Sequence, residues 1–172
     1  MIATREDLFR RLAELNIATH TVEHEPLFSV AESSKVEREL PGAHTKNLFL
    51  KDDGGELFLI VAESTTRVEL KTLARTLRAR RFSFGKPELL MEALGVRPGA
   101  VTAFAVINDP NRRVHVVIDA ELMQHESINC HPLENTATTN IGRDDLLRFI
   151  RACGHEPGVA TLGPTKAASE SA

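Results

Sequence analysis

The chain has 172 residues, an apolar fraction of 42% and a formal net charge of −3 at pH 7. This length predicts one globular domain, and the charge argues against a protein that grips long stretches of nucleic acid. No apolar run is long enough to span a membrane, the N-terminus lacks the pattern of a secretory signal, and two cysteines give no disulfide framework. We therefore expect a cytoplasmic protein with free thiols and no membrane contact.

The first third of the chain predicts alternating helices and strands. Thr4 and Asp7 resemble a capping box, and the apolar residues that follow them recur at helical spacing. Asp52-Asp53-Gly54-Gly55 separates two apolar runs and is typical of a hairpin turn. The predicted elements are a helix over 5–15, a strand over 18–23, a short polar helix over 31–39, and paired strands over 45–51 and 57–62.

The rest of the chain mixes hairpins with helices and shows no regular βαβ alternation, which predicts an α+β fold with a mixed sheet. Pro87 suits the first position of a helix, and Gly95 and Gly154 suit positions just after helices. We expect helices over 68–77, 87–95 and 144–153, a helical turn over 120–124, strands over 81–84, 127–130 and 136–141, and a hairpin of strands over 101–107 and 114–118. Residues 1–157 should form the domain and 158–172 a flexible tail.

A polar pair, Lys46-Asn47, interrupts the start of an apolar run that predicts a buried strand. A lysine entering such a strand must pair, reach solvent or contact a ligand, because burying its charge is costly. One interpretation is a lysine that extends past the sheet edge into water, and the other is a site lysine at the mouth of a pocket. A second polar segment, 130–136, lies between apolar flanks far along the chain and favours the second interpretation.

Several kinds of site are unsupported by the sequence. The seven histidines are scattered without metal-ligand spacing, and those outside the motifs are better interpreted as structural or surface residues. Cys130 and His131 would point to opposite faces of a strand and cannot form a nucleophilic dyad there, so Cys130 is expected in the core. No serine lies in a nucleophile elbow. What remains is a lysine, a histidine, asparagines and a Gly/Pro loop over 95–99, a set able to orient water and polarise a carbonyl.

Three motifs resemble the YbaK/ProX family of aminoacyl-tRNA deacylases, relatives of the editing domain inserted in bacterial prolyl-tRNA synthetases. They are Gly42-x-x-Thr45-Lys46-Asn47-Leu48-Phe49-Leu50-Lys51, Leu94-Gly95-x-x-Pro98-Gly99-x-Val101-Thr102 and His131-Pro132-Leu133-x-Asn135-Thr136. Together they are most similar to the free-standing ProX branch, whose members hydrolyse alanine mischarged on proline tRNA. The resemblance implies a mixed, partly barrel-like sheet flanked by helices, and it implies no metal and no cofactor.

The resemblance also implies roles for individual residues. Lys46 would hold the 3′ end of the tRNA, the backbone amides of the loop from Gly95 to Pro98 would contact the aminoacyl carbonyl, and His131 matches the active-site histidine. Residues expected to contact the substrate are Asn47, Gly99, Phe28 and Val30, and the last two match the amino-acid pocket.

Basic residues cluster between Arg67 and Lys86, where Glu69 is the one acidic residue. This segment is either a phosphate-binding face or a solvated helix face. Trp and Tyr are absent, and most of the eight Phe lie in apolar runs and are assigned to the core. The residues expected to bind tRNA are Arg75, Arg78, Arg80 and Arg81.

Two classes of function remain open at this point. The first is a hydrolase that edits Ala-tRNA(Pro) in trans, or a related deacylase specific for tRNA carrying cysteine or serine. The second is a non-catalytic module that binds aminoacyl-tRNA or a synthetase. The expected partners are the acceptor end of mischarged tRNA and prolyl-tRNA synthetase, and the expected state is a monomer or weak dimer.

Overall fold

The structure, a computed structural model, describes residues 1–26, 36 and 38–164. Within these residues, an eight-stranded mixed sheet carries helices on both faces. The helices are α1 (Arg5–Glu14), α2 (Leu70–Leu77), α3 (Pro87–Leu94) and α4 (Arg143–Ala152), with 3-10 helices at Ala103–Asn108 and Ala120–Gln124. The strands are β1 (Thr19–Glu23), β2 (Ala43–Asp52), β3 (Leu57–Glu63), β4 (Phe82–Phe84), β5 (Val114–Asp119), β6 (Ser127–Cys130), β7 (Ala137–Gly142) and β8 (Gly158–Ala160).

The strands follow the order β1-β7-β6-β2-β3-β5-β8, and β4 pairs with β2 outside this path. The pairs β6–β2, β3–β5 and β5–β8 are parallel, whereas β1–β7, β6–β7, β2–β3 and β2–β4 are antiparallel. The prediction of an α+β fold with a mixed sheet flanked by helices is confirmed.

Apolar side chains form two clusters, one on each face of the sheet. β3 supplies both, because its odd-numbered residues from Leu57 to Val61 join one cluster and its even-numbered residues from Phe58 to Ala62 join the other. We call the side covered by α1, α3 and α4 the first face, and the side covered by α2 the second face. Near-continuous burial explains why β3 is an unbroken apolar run in the sequence.

Local sequence signals account for the helix ends. Thr4 and Asp7 form the predicted capping box, with the Thr4 hydroxyl accepting from the Asp7 N–H and the Asp7 carboxylate accepting from the Thr4 N–H. Gly95 ends α3 with φ of +65°, as its position predicted. None of the described helices has the length and apolar character needed to cross a membrane. The polar helix predicted over 31–39 lies mostly outside the described residues.

The strand predicted over 101–107 is wrong. Residues 103–108 form a 3-10 helix, and the Thr102 hydroxyl accepts a 3.3 Å hydrogen bond from the Phe104 N–H at its start. A short apolar run cannot distinguish a strand from a buried helical segment, and Ala103 through Val106 are fully buried. β5 therefore has no hairpin partner in this run and pairs in parallel with β3 instead.

The flexible tail predicted from residue 158 is wrong for its first residues. Gly158–Ala160 form β8, which pairs with β5, and Leu162 is 2% exposed within the cluster on the second face. A three-residue strand leaves too little periodicity to stand out in a segment rich in Gly, Pro and Ala. Residues beyond 164 lie outside the described part of the chain.

We expect Gly42→Ala to destabilise the fold more than Gly55→Ala. Gly42 has φ of +92°, and an added Cβ would lie 2.6 Å from the Ser127 carbonyl oxygen. Gly55 has φ of +87° and nothing within 4 Å of an added Cβ. Both substitutions force an alanine into the left-handed conformation, which should lower the free energy of unfolding by about 1–2 kcal/mol. Gly42→Ala should lower it by about 1–3 kcal/mol more, because its Cβ overpacks against β6. Urea denaturation measures both losses, and equal values would show that β6 does not restrict residue 42.

Candidate active site

The candidate site lies where β2 changes its neighbour along one edge. β6 pairs with Ala43 and His44 at the start of β2, whereas β4 pairs with Leu50–Asp52 at its end. β6 is parallel to β2 and β4 is antiparallel, so the C-terminal ends of β6 and β4 point toward each other. Among the described strands, none pairs with this edge between those two segments. We call the opening beside residues 45–49 the edge gap.

Amide side chains hold β2 against β6 at one end of the edge gap. The Asn129 Nδ2 donates to the carbonyl oxygens of Pro41 at 2.9 Å and Ala43 at 3.1 Å, and the Asn140 Nδ2 donates to Pro41 at 3.0 Å. The Thr45 hydroxyl donates to the Asn129 carbonyl at 2.8 Å. These bonds satisfy the backbone of the Pro-Gly turn, and they fix where the polar part of β2 begins.

Lys46 and Asn47 both lie beside the edge gap, opposite Ala62 and Val61 of β3. Successive side chains of a strand alternate, so Lys46 belongs to the second face and Asn47 to the first. Within the described residues, Lys46 has no salt bridge, and the buried Asn47 Oδ1 accepts no hydrogen bond. An unpaired buried amide oxygen is costly to the fold, and it is available to a ligand that can donate a hydrogen bond.

His131 directly follows β6, the strand that pairs with the start of β2. The last β6–β2 pair is His44 with Asn129, and Lys46 and His131 each lie two residues further along their chains. The His131 Nδ1 is 2.9 Å from the Ala137 carbonyl oxygen, which can only accept a hydrogen bond. In the neutral ring Nδ1 therefore carries the proton, and Nε2 is the nitrogen that can accept one.

The surroundings of His131 favour its neutral form. Burial lowers the pKa of His131 from its usual value, the hydrogen bond to Ala137 partly opposes this, and the charge of nearby His24 lowers it further. The imidazole is therefore neutral at neutral pH, with Nε2 able to accept a proton or a hydrogen bond.

His24 and Thr138 are neighbours of His131 that the sequence interpretation did not place in the site. The His24 and His131 ring centroids are 6.3 Å apart with an edge-to-face arrangement. The His24 Nδ1 is 2.8 Å from the Glu25 carbonyl, and its Nε2 is 2.8 Å from the Thr138 hydroxyl. A lone histidine after a strand carries no sequence signal, because its relation to His131 arises from the pairing of β1 with β7.

A cavity of about 550 Å³ joins two of the three sequence motifs. One wall is the segment 95–100 after α3, and the other is Leu133–Thr136 after β6, with Met91 between them. Both walls are built by chain that leaves the edge gap, since α3 follows β4. Lys46, Asn47 and His131 are not among the described lining residues. The structure thus brings the loop to the Asn135-Thr136 motif, whereas Lys46 and His131 each lie two residues beyond the last β2–β6 pair.

Gly95 and Pro98 shape the loop and do not donate from it. The Gly95 N–H already donates to the Met91 carbonyl at 3.0 Å, and proline has no N–H. The left-handed backbone of Gly95 also brings it against Asn108, whose Nδ2 would lie 2.7 Å from an added Cβ. A side chain at residue 95 is therefore excluded by both conformation and space.

Residues 96–100 of the loop supply the backbone N–H groups that can donate to a ligand. The Ala100 N–H donates to the Arg97 carbonyl at 3.0 Å, closing a turn in which Gly99 has φ of +90°. Pro before a glycine of positive φ is typical of a type II turn. Within the described residues, the N–H groups of Val96, Arg97 and Gly99 have no backbone partner. These three are the candidate donors to a substrate oxygen.

Cys130 is a core residue, as the sequence predicted. It is 2% exposed, and burial raises the pKa of its thiol to about 12, against a smaller opposing effect of the Thr45 hydroxyl. The thiolate form, which is the nucleophile, is therefore absent at neutral pH. Among the described residues, no three His, Cys, Asp or Glu side chains are grouped so as to hold a metal ion.

The basic residues expected to bind tRNA are exposed on α2 and the segment before β4. Arg81 is 83% exposed at its side chain, with Nε 3.4 Å from Asp53. Exposure is compatible with a phosphate-binding face and with a solvated face, so the role of these residues stays a prediction. The four arginines are Arg75, Arg78, Arg80 and Arg81.

Phe28 and Val30, expected in the amino-acid pocket, lie outside the described residues.

Comparisons with known proteins agree with the motifs. The model of the aminoacyl-tRNA editing domain matches residues 24–149. The chain is 40% identical over 160 residues to prolyl-tRNA synthetase associated domain-containing protein 1 of Danio rerio, covering 92% of this chain and 87% of the relative. It is 32% identical over 152 residues to the prolyl-tRNA editing protein ProX of Acetoanaerobium sticklandii, covering 88% and 93%.

The fold agrees as well. A crystal structure described as a proposed trans-editing enzyme for prolyl tRNA synthetase matches with a TM-score of 0.68 and 17% identity, covering 95% of this chain and 99% of the other. At that identity the likeness shows the fold alone, whereas the family match covers most of the chain. The chain therefore belongs to the aminoacyl-tRNA editing domain family, whose members are deacylases that hydrolyse mischarged aminoacyl-tRNA.

Proposed function

We propose that this chain removes alanine from proline tRNA in trans, by direct attack of water on the aminoacyl ester. The observation that carries the proposal is the edge gap, which has Lys46 and the unpaired Asn47 Oδ1 beside it and His131 directly after β6, the strand that ends at it. The relative named prolyl-tRNA editing protein ProX supports proline tRNA as the nucleic acid. As a translation editing enzyme, the protein would act in the cytoplasm.

Alanine is the error that most needs a second site. A synthetase pocket built for proline cannot strongly reject a smaller amino acid, because a few missing methylenes lose only about 1–3 kcal/mol. A separate site that admits alanine and excludes proline by size supplies the missing discrimination. We propose Phe28 and Val30 as the residues that set this size limit, and prolyl-tRNA synthetase as the enzyme whose errors are corrected.

In the proposed complex Lys46 binds the 3′ end of the tRNA. Its backbone lies in β2, a strand that pairs with β3 from Thr45 to Lys51, so the sheet fixes the point from which the side chain extends. A phosphate oxygen or ribose hydroxyl there would supply the partner that Lys46 lacks within the described residues. Asn47, on the other face, would accept a hydrogen bond from the substrate through its unpaired Oδ1.

The chemical step needs a donor for the oxyanion and an acceptor for a proton. We propose that the N–H groups of Val96, Arg97 and Gly99 stabilise the negative charge that forms on the carbonyl oxygen. The His131 Nε2 would accept a hydrogen bond from the attacking water or from the neighbouring ribose hydroxyl. Water adds to the carbonyl carbon, the ester C–O bond breaks, and the ribose oxygen leaves with a proton as free tRNA and alanine form.

One assay separates this proposal from its alternatives. Purified protein incubated with a panel of mischarged tRNAs should release alanine from proline tRNA fastest. Faster release of cysteine or serine would assign the protein to another editing specificity, and binding without release of any amino acid would indicate a non-catalytic module.

We expect Lys46→Met to abolish most deacylation while the protein stays folded. The substitution removes the ammonium group and keeps an apolar stem of similar length. Losing a charge-assisted hydrogen bond to the tRNA end should cost about 2–4 kcal/mol of transition-state binding, a fall in kcat/KM on the order of 30- to 1,000-fold.

Lys46→Arg is the matched control, because it keeps the charge at the same strand position. It should retain more activity than Lys46→Met, and both variants should unfold at similar urea concentrations. Wild-type turnover by well-folded Lys46→Met would remove Lys46 from the mechanism.

The proposed role of His131 predicts a pH profile. Because burial lowers its pKa, the acceptor form persists below pH 6.5, the usual histidine value, and the rate should fall only as pH drops through the lowered pKa. His131→Asn should be slower and should lose this acid limb. Single-turnover rates across pH, corrected for spontaneous ester hydrolysis, test this expectation. An unchanged acid limb in His131→Asn would assign it to another group.

The lowered pKa of His131 also predicts that the stability of the protein falls at acidic pH. Unfolded His131 takes up a proton near pH 6.5, whereas the folded state does so only at lower pH. The unfolded state therefore binds more protons in this window, and the stability present above pH 6.5 is lost as pH falls through the folded pKa. Urea denaturation at about pH 7.5 and about pH 5 should show a smaller loss in His131→Asn than in wild type. Equal losses would contradict a buried neutral His131.

The exposed arginines should contribute to tRNA affinity by neutralising phosphates. Arg80→Ala with Arg81→Ala should weaken binding and flatten its salt dependence, with the slope of log K against log salt changing by roughly 0.7–0.9 for each phosphate that is no longer neutralised. A double change of Arg10 and Arg151 to Ala, also exposed but outside this segment, is the control. Filter binding over a salt series gives the slopes, and equal slopes in both double variants would place the tRNA elsewhere.

A further inference from the structure

Phe84 is exposed at the C-terminal end of β4. It is 63% exposed, whereas Phe82 in the same strand is 7% exposed and packs against Phe58. Phe84 is therefore an exception to the assignment of most phenylalanines to the core. A single exposed apolar side chain needs no explanation by itself. The position of Phe84 relative to the edge gap, and the charges around it, are what give it a function.

Phe84 shares the second face of the sheet with Lys46. It pairs directly with Leu50 of β2, and cross-strand partners point to the same side. Lys46 lies four residues before Leu50, so its side chain is on that side too. The separation along the strand is about 13 Å, from a rise of about 3.3 Å per residue. Phe84 and Lys46 thus lie at opposite ends of the edge gap.

The backbone next to Phe84 is fixed. The Gly85 N–H donates to the Phe49 carbonyl at 2.9 Å, and an added Cβ at Gly85 would collide with the Phe49 ring. The chain therefore lies directly on β2 as it leaves β4. An aromatic ring held on a rigid strand end loses little freedom when a ligand stacks on it.

Charged side chains of both signs line the groove beside Phe84. Phe84 lines a groove of about 390 Å³ together with Lys51 and Lys86. Glu88 and Glu92 also line the groove, and the Glu92 carboxylate accepts a 3.0 Å hydrogen bond from Arg113. Lys51 pairs with Ser83 and by strand alternation lies on the first face, whereas Lys86 follows Phe84 by two residues. Single-stranded nucleic acids bind exposed aromatic rings that have cations nearby, because the ring stacks on a base and the cations meet the phosphates.

We propose that Phe84 is a stacking site for an unpaired base of the tRNA acceptor end. This inference rests on the proposed function, since the ester must lie at Lys46 for the base to reach Phe84. Stacked nucleotides rise about 3.4 Å each along one strand, so a base a few nucleotides before the ester spans the distance between the two residues. The site takes an unpaired base of any identity, because every base offers a π face.

F84W tests the stacking directly. The chain contains no Trp and no Tyr, so the introduced indole is the one strong emitter in the protein. Titration with an uncharged RNA oligonucleotide ending in CCA should quench it saturably. The same oligonucleotide with abasic residues before the terminal adenosine should quench it far less. V159W, at an exposed residue of the edge strand β8, is the control and should respond to neither. Equal quenching of F84W by both oligonucleotides would overturn the proposal.

Kinetics give the second test. F84A should raise the KM for mischarged tRNA on the order of ten-fold with kcat kept, and F84Y should restore the wild-type KM because it keeps the ring. V159A should behave as wild type. An unchanged KM in F84A, or a lowered kcat alone, would overturn the stacking site, and would leave Phe84 to a protein partner or to no ligand. Failure of the proposed function is distinct, because wild type would then release no alanine whereas the F84W titration would still report base stacking.

Discussion

Strand β2 pairs with two different strands along one of its edges, β6 at its start and β4 at its end, and the rest of the candidate site depends on this division. A single continuous partner would cover the backbone and side chains beside residues 45–49. The division instead directs the chain after β6 into the segment 131–136, and directs the chain after β4 through α3 into the loop from Gly95. The two segments then meet across one cavity. The neighbours of one strand thus bring two of the three motifs to one cavity and leave Lys46 and Asn47 beside the edge gap.

The site is held by bonds that are separate from the apolar clusters. Asn129 and Asn140 tie the Pro41-Gly42 turn to β6 and β7, and Gly42 allows the close approach to Ser127. The two asparagine amides satisfy the carbonyl oxygen of Pro41 at the turn. Lys46 and Asn47 follow within a few residues, so a small change at the turn would displace the two polar side chains that we propose to contact the substrate. The stability of the turn and the proposed chemistry therefore depend on the same short segment.

Much of the fold could be predicted from local signals, and less of the site. The capping box at Thr4, the hairpin around Gly54 and the end of α3 at Gly95 are encoded within a few neighbouring residues. The 3-10 helix over 103–108 and the strand β8 were missed because short apolar or glycine-rich stretches carry no decisive periodicity. Lys46 and His131 stood out as polar groups in apolar flanks, but His24 and Phe84 did not. Their positions relative to His131 and the edge gap follow from which strand pairs with which, and spacing along the chain does not contain that information.

The pairing of distant strands also sets when the site can exist during synthesis. His44 lies beside Asn129, 85 residues later, and Thr21 contacts Thr139, 118 residues later. Ordering these long loops costs conformational entropy before the strand contacts form and offset that cost. Such topologies therefore fold slowly. A ribosome adds on the order of 5–20 residues per second, so β2 and β3 leave it several seconds before β6 and β7 do. During that interval the edge of β2 that will border the site is unpaired and open to other chains. The polar residues at its start, which we propose to contact the substrate, would also reduce the association of this unpaired edge with other chains.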